Sequence, residues 1–305
     1  MDFIKHWSGK TELAIVVLIG WMGLGGSKYY DWARRYGKAN EHNGSVPRDY
    51  WLEDWEKERI IDFYTRNPLE GYRRLTFMML DQDYVAVSPS STYRVLKGAG
   101  LLDRWNRKPT KKGTGFVQPK YVHEHWHVDI TYLNLGGTFF FLCSILDGYS
   151  RAIIHWEVGA HMTEADVEMV LQRAMEKHPN ARPRVISDNG PQFIARDFKE
   201  FIRVTGLTHV RTSPNYPQSN GKKERFYGSL KQESFRLAQP QTEEEARERI
   251  RRYVQHYNEV RLHSAIGYVT PQDKMVGIEE EIWRARDERL AAARERRAQV
   301  RAGVN

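Results

Sequence analysis

The chain comprises 305 residues, with 47 lysines and arginines against 39 acidic residues and a formal net charge of +8 at pH 7. That length can bury one sizeable core with smaller appendages, and the positive balance suits a polyanionic partner. The single cysteine, Cys143, excludes an internal disulfide and agrees with a reducing, cytoplasmic setting; residues 13–24 are apolar but too short and glycine-interrupted to cross a bilayer, and no secretory signal is evident.

Residues 1–102 read as small helical units. Thr11 is placed to cap a helix running to Ile19, a glycine-rich turn follows at 23–26, and residues 27–36 form a basic, aromatic second helix. A further pair is expected over 69–80 and 90–97, with Pro89 favouring entry to the second. Ser91, Thr92, Tyr93 and Arg94 then lie early in that helix, where a recognition helix meets a DNA groove. The region is expected to hold two helix-turn-helix-like DNA-binding units; structural hairpins with inward-facing aromatics are the alternative.

Residues 103–120 have the composition of a linker. Arg104, Arg107, Lys108, Lys111, Lys112 and Lys120 stand among prolines and glycines, a pattern suited either to following a phosphate backbone or to a solvated tether.

Regular elements follow from residue 121. Trp126-His-Val-Asp-Ile-Thr-Tyr132 reads as a strand carrying Asp129. Residues 138–146 are apolar enough for a strand covered on both faces, and Asp147-Gly148 turns the chain into a third strand over 152–158. Thr163 caps a helix that Pro179 ends. Arg184-Val-Ile-Ser-Asp188 is a fourth strand closing on Asp188, Gly206 stops an amphipathic helix, and residues 208–212 make a short fifth strand. Glu224 sits near the start of a helix that continues past Lys231. The order predicts an α/β domain with a mixed five-stranded sheet and flanking helices. Thr242 and Glu245 suggest a capping box for the next helix. Beyond residue 272 the chain becomes an arginine-rich helical tail, read either as a helix that pairs subunits or touches DNA or as a frayed solvated helix, the second reading being favoured for its final third.

Asp129, Asp188 and Glu224 stand on three separate elements. In-line attack on a phosphodiester places negative charge on both the entering and the leaving oxygen, and two divalent cations held by carboxylates can stabilise both. Mg²⁺ prefers such hard oxygen ligands. Most acidic side chains merely solvate a surface, and an Asp before Asn-Gly is often only a turn residue, so the ordered set carries the argument rather than any one member. His123, His125, His127 and Asp129 alternate along one strand and would share a face, a weak pattern for zinc. Lys222, Lys223, Arg225 and Lys231 surround Glu224 as candidate DNA contacts, Lys231 being seven residues on and so on the same helical face.

His127-Val-Asp-Ile-Thr131, Leu146-Asp-Gly-Tyr-Ser-Arg151, Ser187-Asp-Asn-Gly-Pro-Gln-Phe193 and Gln218-Ser-Asn-Gly-Lys-Lys-Glu-Arg225, with Thr270-Pro271 closing the region, carry a resemblance. From about residue 121 to 272 the chain resembles the retroviral-integrase catalytic core, of ribonuclease-H-like fold. It is more closely similar to the second-frame (OrfB-type) transposases of the bacterial insertion sequence three family. The resemblance implies Asp129, Asp188 and Glu224 as catalytic metal ligands for two Mg²⁺ ions, with Mn²⁺ a possible substitute. It leaves Asp147 out, as a hairpin-turn residue. It further implies strand cleavage and transfer at the terminal inverted repeats of a mobile element and in target DNA, a homodimer or larger assembly on DNA, and fusion by frameshifting to an upstream-frame product. On that reading the chain is a bacterial cytoplasmic, nucleoid-associated second-frame product. A hydrolytic nuclease of ribonuclease H type and a non-catalytic DNA-binding protein remain as rivals.

Overall fold

The computed structural model describes residues 1–37, 51–102, 118–135, 137–212, 221–235 and 240–303. Two compact units are present, one of Met1–Trp51 with Ala298–Asn305 and one of Leu52–Arg297. This division falls inside the stretch 1–102 that the sequence reads as one region.

The smaller unit contains α1 (Asp2–Lys10), α2 (Ile15–Trp21) and α3 (Gly26–Arg35) around Ile4, Leu18, Ile19 and Tyr29. Thr11 ends α1 rather than opening the next helix. Its hydroxyl and its N–H both fold back on the Trp7 carbonyl, at 2.7 and 2.9 Å, which commits it to a C-terminal position.

The larger unit begins with α4 (Asp54–Arg66), α5 (Tyr72–Asp81) and α6 (Pro89–Gly98), packed through Ile60, Phe63, Leu75, Met79 and Leu96. Ser88 caps α6 by accepting the Ser91 N–H, with Pro89 at the first turn as expected.

Its sheet comprises β1 (His125–Leu135), β2 (Thr138–Asp147), β3 (Ile153–Gly159), β4 (Arg184–Ser187) and β5 (Thr208–Arg211), ordered β3-β2-β1-β4-β5. The β1–β2 and β2–β3 pairs are antiparallel, whereas β1–β4 and β4–β5 are parallel. This is the mixed five-stranded, ribonuclease-H-like arrangement expected from the sequence. Strand alternation sorts β1 between two cores. Trp126, Val128 and Ile130 face α7 (Glu164–Lys177), together with α8 (Pro191–Ile194) and α9 (Arg196–Thr205). Leu133 and Leu135 face α10 (Gly221–Leu230) and α11 (Glu243–Glu259). Asp129 shares the parity of the second set and therefore points to the α10 side.

Thr163 and Thr242 accept the N–H of Asp166 and Glu245 and cap α7 and α11; Gly206 ends α9 in the left-handed conformation. After α10 the backbone widens into a π-helical turn over Lys231–Phe235.

The chain continues through α12 (Pro271–Val276) into α13 (Glu279–Arg301). The sequence suggests a fraying final third for this arginine-rich helix, but the structure corrects that expectation. Arg297 and Ala293 are buried, and Arg297 and Arg296 donate to fully buried Glu56 of α4 at 2.8 and 3.0 Å. Arg289 donates to the Leu80 carbonyl at 2.9 Å. Charge that looks solvated in one dimension is paired with the α4–α6 bundle in three.

Candidate active site

In the β1–β4 ladder His127 pairs with Ile186. Two residues further along each parallel strand lie Asp129 and Asp188, one in the middle of β1 and the other just past the end of β4. Adjacent parallel strands in the middle of the sheet thus carry the two carboxylates, just past the last paired rung of β1 and β4. Asp129 is almost buried and its Oδ1 accepts its neighbour's N–H, from Ile130, at 2.9 Å. Asp188 is half-exposed, and its Oδ1 accepts the Gly190 N–H at 2.9 Å. A side chain at 190 would bring a Cβ within 3.1 Å of that same oxygen, so glycine leaves the carboxylate room to turn. Asn189 ties the turn to β5 by donating to the Thr212 carbonyl at 2.9 Å.

Glu224 lies on the exposed side of the first turn of α10. Burial pushes the Asp129 carboxyl up to about 6; Lys223 opposes that rise, and the negative charges of Asp188 and Glu224 add to it. All three carboxylates therefore share one electrostatic neighbourhood. Among the described residues, however, no three His, Cys, Asp or Glu side chains are gathered closely enough to hold a metal ion. The donors are uniformly hard oxygens, which fits Mg²⁺ or Mn²⁺ in kind.

Asp147 is used differently. Fully buried, it accepts the His123 N–H at 2.8 Å through Oδ1, and the N–H groups of Tyr149 and Ser150 and the Ser150 hydroxyl through Oδ2. Both oxygens are engaged in locking the hairpin. His123 precedes β1 in a left-handed conformation, so the alternating histidine face begins only at His125.

The basic residues separate into distinct environments. Lys231 is exposed and donates to Thr131 Oγ1 at 3.0 Å, which holds its ammonium beside the Asp129 strand. Arg225 is exposed. Lys222 is half-buried, donates to the Gly148 carbonyl at 3.0 Å, and is pushed down to about 7 by burial and by Arg151. Lys223 corrects the expectation of a DNA contact: it is fully buried and its Nζ donates to the Ser144 carbonyl and, at 2.6 Å, to the Ser144 hydroxyl. Thr92 is corrected likewise, since it is buried and bonded to the Thr76 hydroxyl at 2.8 Å. Ser91 supports the α6 cap, while Arg94 is exposed. Arg104, Arg107, Lys108, Lys111 and Lys112 lie outside the described residues.

Sequence reasoning passed over Ser144 and Tyr227. Tyr227 donates to the Asp129 carbonyl at 2.7 Å and stands 3.0 Å from the Ser144 hydroxyl. The signal was present: 223, 226, 227 and 230 recur at helical spacing and mark one inward stripe. A cavity of about 540 Å³ lined by Tyr121, His123, His178 and Arg182 lies before β1 and β4, at the opposite strand ends from Asp188.

The fold and site define a ribonuclease-H-like core with an acidic centre where its parallel strands end. Models of the integrase core domain match residues 119–217 and 205–271, and the chain belongs to the integrase core family. The transposase InsD for insertion element IS2-9 of Escherichia coli (strain K12) is 28% identical over 293 residues, covering 88% of this chain and 94% of that protein. The transposase for insertion sequence element IS904 of Lactococcus lactis subsp. lactis (strain IL1403) is 27% identical over 174 residues, 53% of this chain and 69% of that one. Similar solved structures include the HTLV-2 integrase catalytic core domain in complex with magnesium (18% identity, TM-score 0.42, covering 51% of this chain and 97% of that chain). A simian T-cell lymphotropic virus intasome gives 18% identity and a TM-score of 0.45 over 71% of this chain and 74% of that chain.

Proposed function

We propose that this protein is a DDE transposase that cuts and joins DNA at the ends of a bacterial insertion sequence. It is a polynucleotidyl transferase, an activity carried by relatives that match its core and, in one case, nearly its whole length. The observation that supports the site assignment best is the parallel register bringing Asp129 and Asp188 to neighbouring strands, with Glu224 in electrostatic reach of Asp129.

Asp129, Asp188 and Glu224 would hold two Mg²⁺ ions, with Mn²⁺ the candidate substitute. Such ions, if held there, would supply charge neutralisation at the entering and leaving oxygens and would acidify an attacking hydroxyl or water. The chain's own residues orient the DNA. Lys231, held beside β1 by Thr131, and exposed Arg225 present positive charge to a phosphate backbone, and Arg94 does so from α6. Positioning and charge neutralisation supply most of the acceleration in such chemistry.

The substrates are double-stranded DNA, namely the element's terminal inverted repeats and a target. Joining two ends calls for a homodimer or larger assembly on DNA, with the upstream-frame product or its fusion as a further partner. Among the described residues no helix is long and apolar enough to cross a membrane; the proposed place of work is the cytoplasm, on nucleoid DNA.

The test is incubation of the protein with its element's end DNA and Mg²⁺, beside Asp188→Asn. Joined strands from the unaltered protein alone support the proposal. Cleavage without joining points to a hydrolytic nuclease, and binding without either reaction to a non-catalytic DNA-binding protein.

A further inference from the structure

Resting on that reading of the active site, we propose that Tyr227 and Lys223 are positioning residues that set the rotation of α10 and so aim Glu224 at the Asp129 strand. Asp129 and Ser144 stand opposite one another across the β1–β2 ladder. Tyr227 reaches this pair from α10, donating to the Asp129 carbonyl at 2.7 Å with its oxygen 3.0 Å from the Ser144 hydroxyl. One helical turn earlier, Lys223 donates to the Ser144 carbonyl and to its hydroxyl at 2.6 Å. The two side chains are buried and grip both strands at the rung that carries a catalytic carboxylate.

Apolar packing alone would not achieve this. Phe226 and Leu230 fill the same inward stripe and hold α10 against the sheet, but hydrophobic contact is non-directional and tolerates rotation of a helix about its axis. Hydrogen bonds are directional and fail within some tens of degrees. Successive residues on an α-helix are separated by about 100°, so Glu224 follows directly from where Lys223 is pinned. A rotation by one residue would carry the Glu224 carboxylate to the buried position that Lys223 now holds.

A buried ammonium is also an expensive way to fill space. Taking a lysine out of water is costly unless its donors are met by well-placed acceptors, and an apolar side chain of similar volume would serve packing as well or better. Carbonyl oxygens have two lone pairs, so the Asp129 and Ser144 carbonyls accept these bonds without giving up a ladder partner. The polar network therefore makes sense as a device for register, in which one conformation lets Tyr227 and Lys223 reach their acceptors on Asp129 and Ser144 together.

The experiment uses the full chain with Tyr227→Phe and Lys223→Met, beside Glu224→Gln. Tyr227→Phe keeps the ring and its packing and removes only the hydroxyl. Thermal melting, end-DNA binding, Mn²⁺ binding to the free protein and cleavage rate as a function of Mg²⁺ concentration are measured for each. Tyr227→Phe is expected to melt within a few degrees of the unaltered protein and bind DNA within about twofold, while needing about tenfold more Mg²⁺ for half-maximal cleavage. A purely structural tyrosine would leave the metal dependence unmoved, and Tyr227→Phe with an unaltered Mg²⁺ profile overturns the inference even if Lys223→Met fails to fold. Failure of the underlying site reading is distinguishable, because Glu224→Gln would then retain cleavage and Mn²⁺ binding. In that case the inference falls with it.

Discussion

Arg286 grips Asp81 through two hydrogen bonds of 2.7 Å each, joining α13 to the end of α5 across 205 positions of sequence. The same guanidinium donates to the Tyr268 carbonyl at 2.8 Å. Farther along α13, Arg297 and Arg296 converge on buried Glu56. Arg74 of α5 donates to the Leu262 carbonyl at 3.0 Å, and Phe77 stacks on Tyr268 with ring centroids 4.6 Å apart. The α4–α6 bundle is thus clasped to the C-terminal segment of its own unit.

The clasp gives a stability prediction. Arg297→Ala leaves a fully buried carboxylate with one of its two cations removed, and breaking such a pair costs about 3 kcal/mol. Chemical denaturation should show that loss, whereas Arg284→Ala, which removes an arginine of the same helix outside the clasp, should change stability by less than about 0.5 kcal/mol.

A second prediction concerns acid. His263 is buried, its ring 4.4 Å from that of Tyr257, and burial together with Arg261 pushes it from 6.5 down to about 3. Its folded-state value lies below its unfolded one, so the unfolded chain takes up the proton first. The contribution is fully present above about pH 6.5 and is lost as pH falls toward 3, with a slope approaching about 1.4 kcal/mol per pH unit. The difference in unfolding free energy between the unaltered protein and His263→Phe should shrink over that window. An unchanged difference from pH 7 to pH 4 would refute it.

Asp147 and Asp129 both terminate or punctuate apolar strands, yet their substitution should separate stability from chemistry. Asp147→Asn gives up one carboxylate oxygen that now accepts three hydrogen bonds. A loss of about 2 kcal/mol in stability is expected, with cleavage per folded molecule retained. Asp129→Asn should do the reverse, abolishing cleavage with little effect on melting.

Lys231 is predicted to act on DNA rather than on the fold. Lys231→Ala should weaken end-DNA binding and reduce the slope of log affinity against log salt by about 1, as expected for one phosphate contact. An unchanged salt slope would mean that the Thr131 contact is merely structural.

Much of this was legible along the chain because its cause is local. Thr163, Gly206 and Thr242 announce helix ends through their own backbone chemistry, and the apolar run 138–146 could only be a covered strand. Asp129 and Asp188 stood out along the chain because one interrupts a strand-forming run and the other follows one. Lys223 was not, for the Ser144 atoms that receive it lie 79 positions away and nothing beside a Lys-Lys pair reveals which lysine turns inward. Thr92 was misassigned for the same reason, its partner Thr76 belonging to another helix. The docking of α13 depends on Glu56 in α4, a helix that apolar periodicity alone did not single out.

The most direct measurement is the anomalous scattering of Mn²⁺ in crystals of the protein bound to its end DNA. Peaks within coordination distance of Asp129, Asp188 and Glu224, with Lys231 against a neighbouring phosphate, are the expected result. Peaks elsewhere, with those three carboxylates holding no metal, would contradict the assignment of the active site.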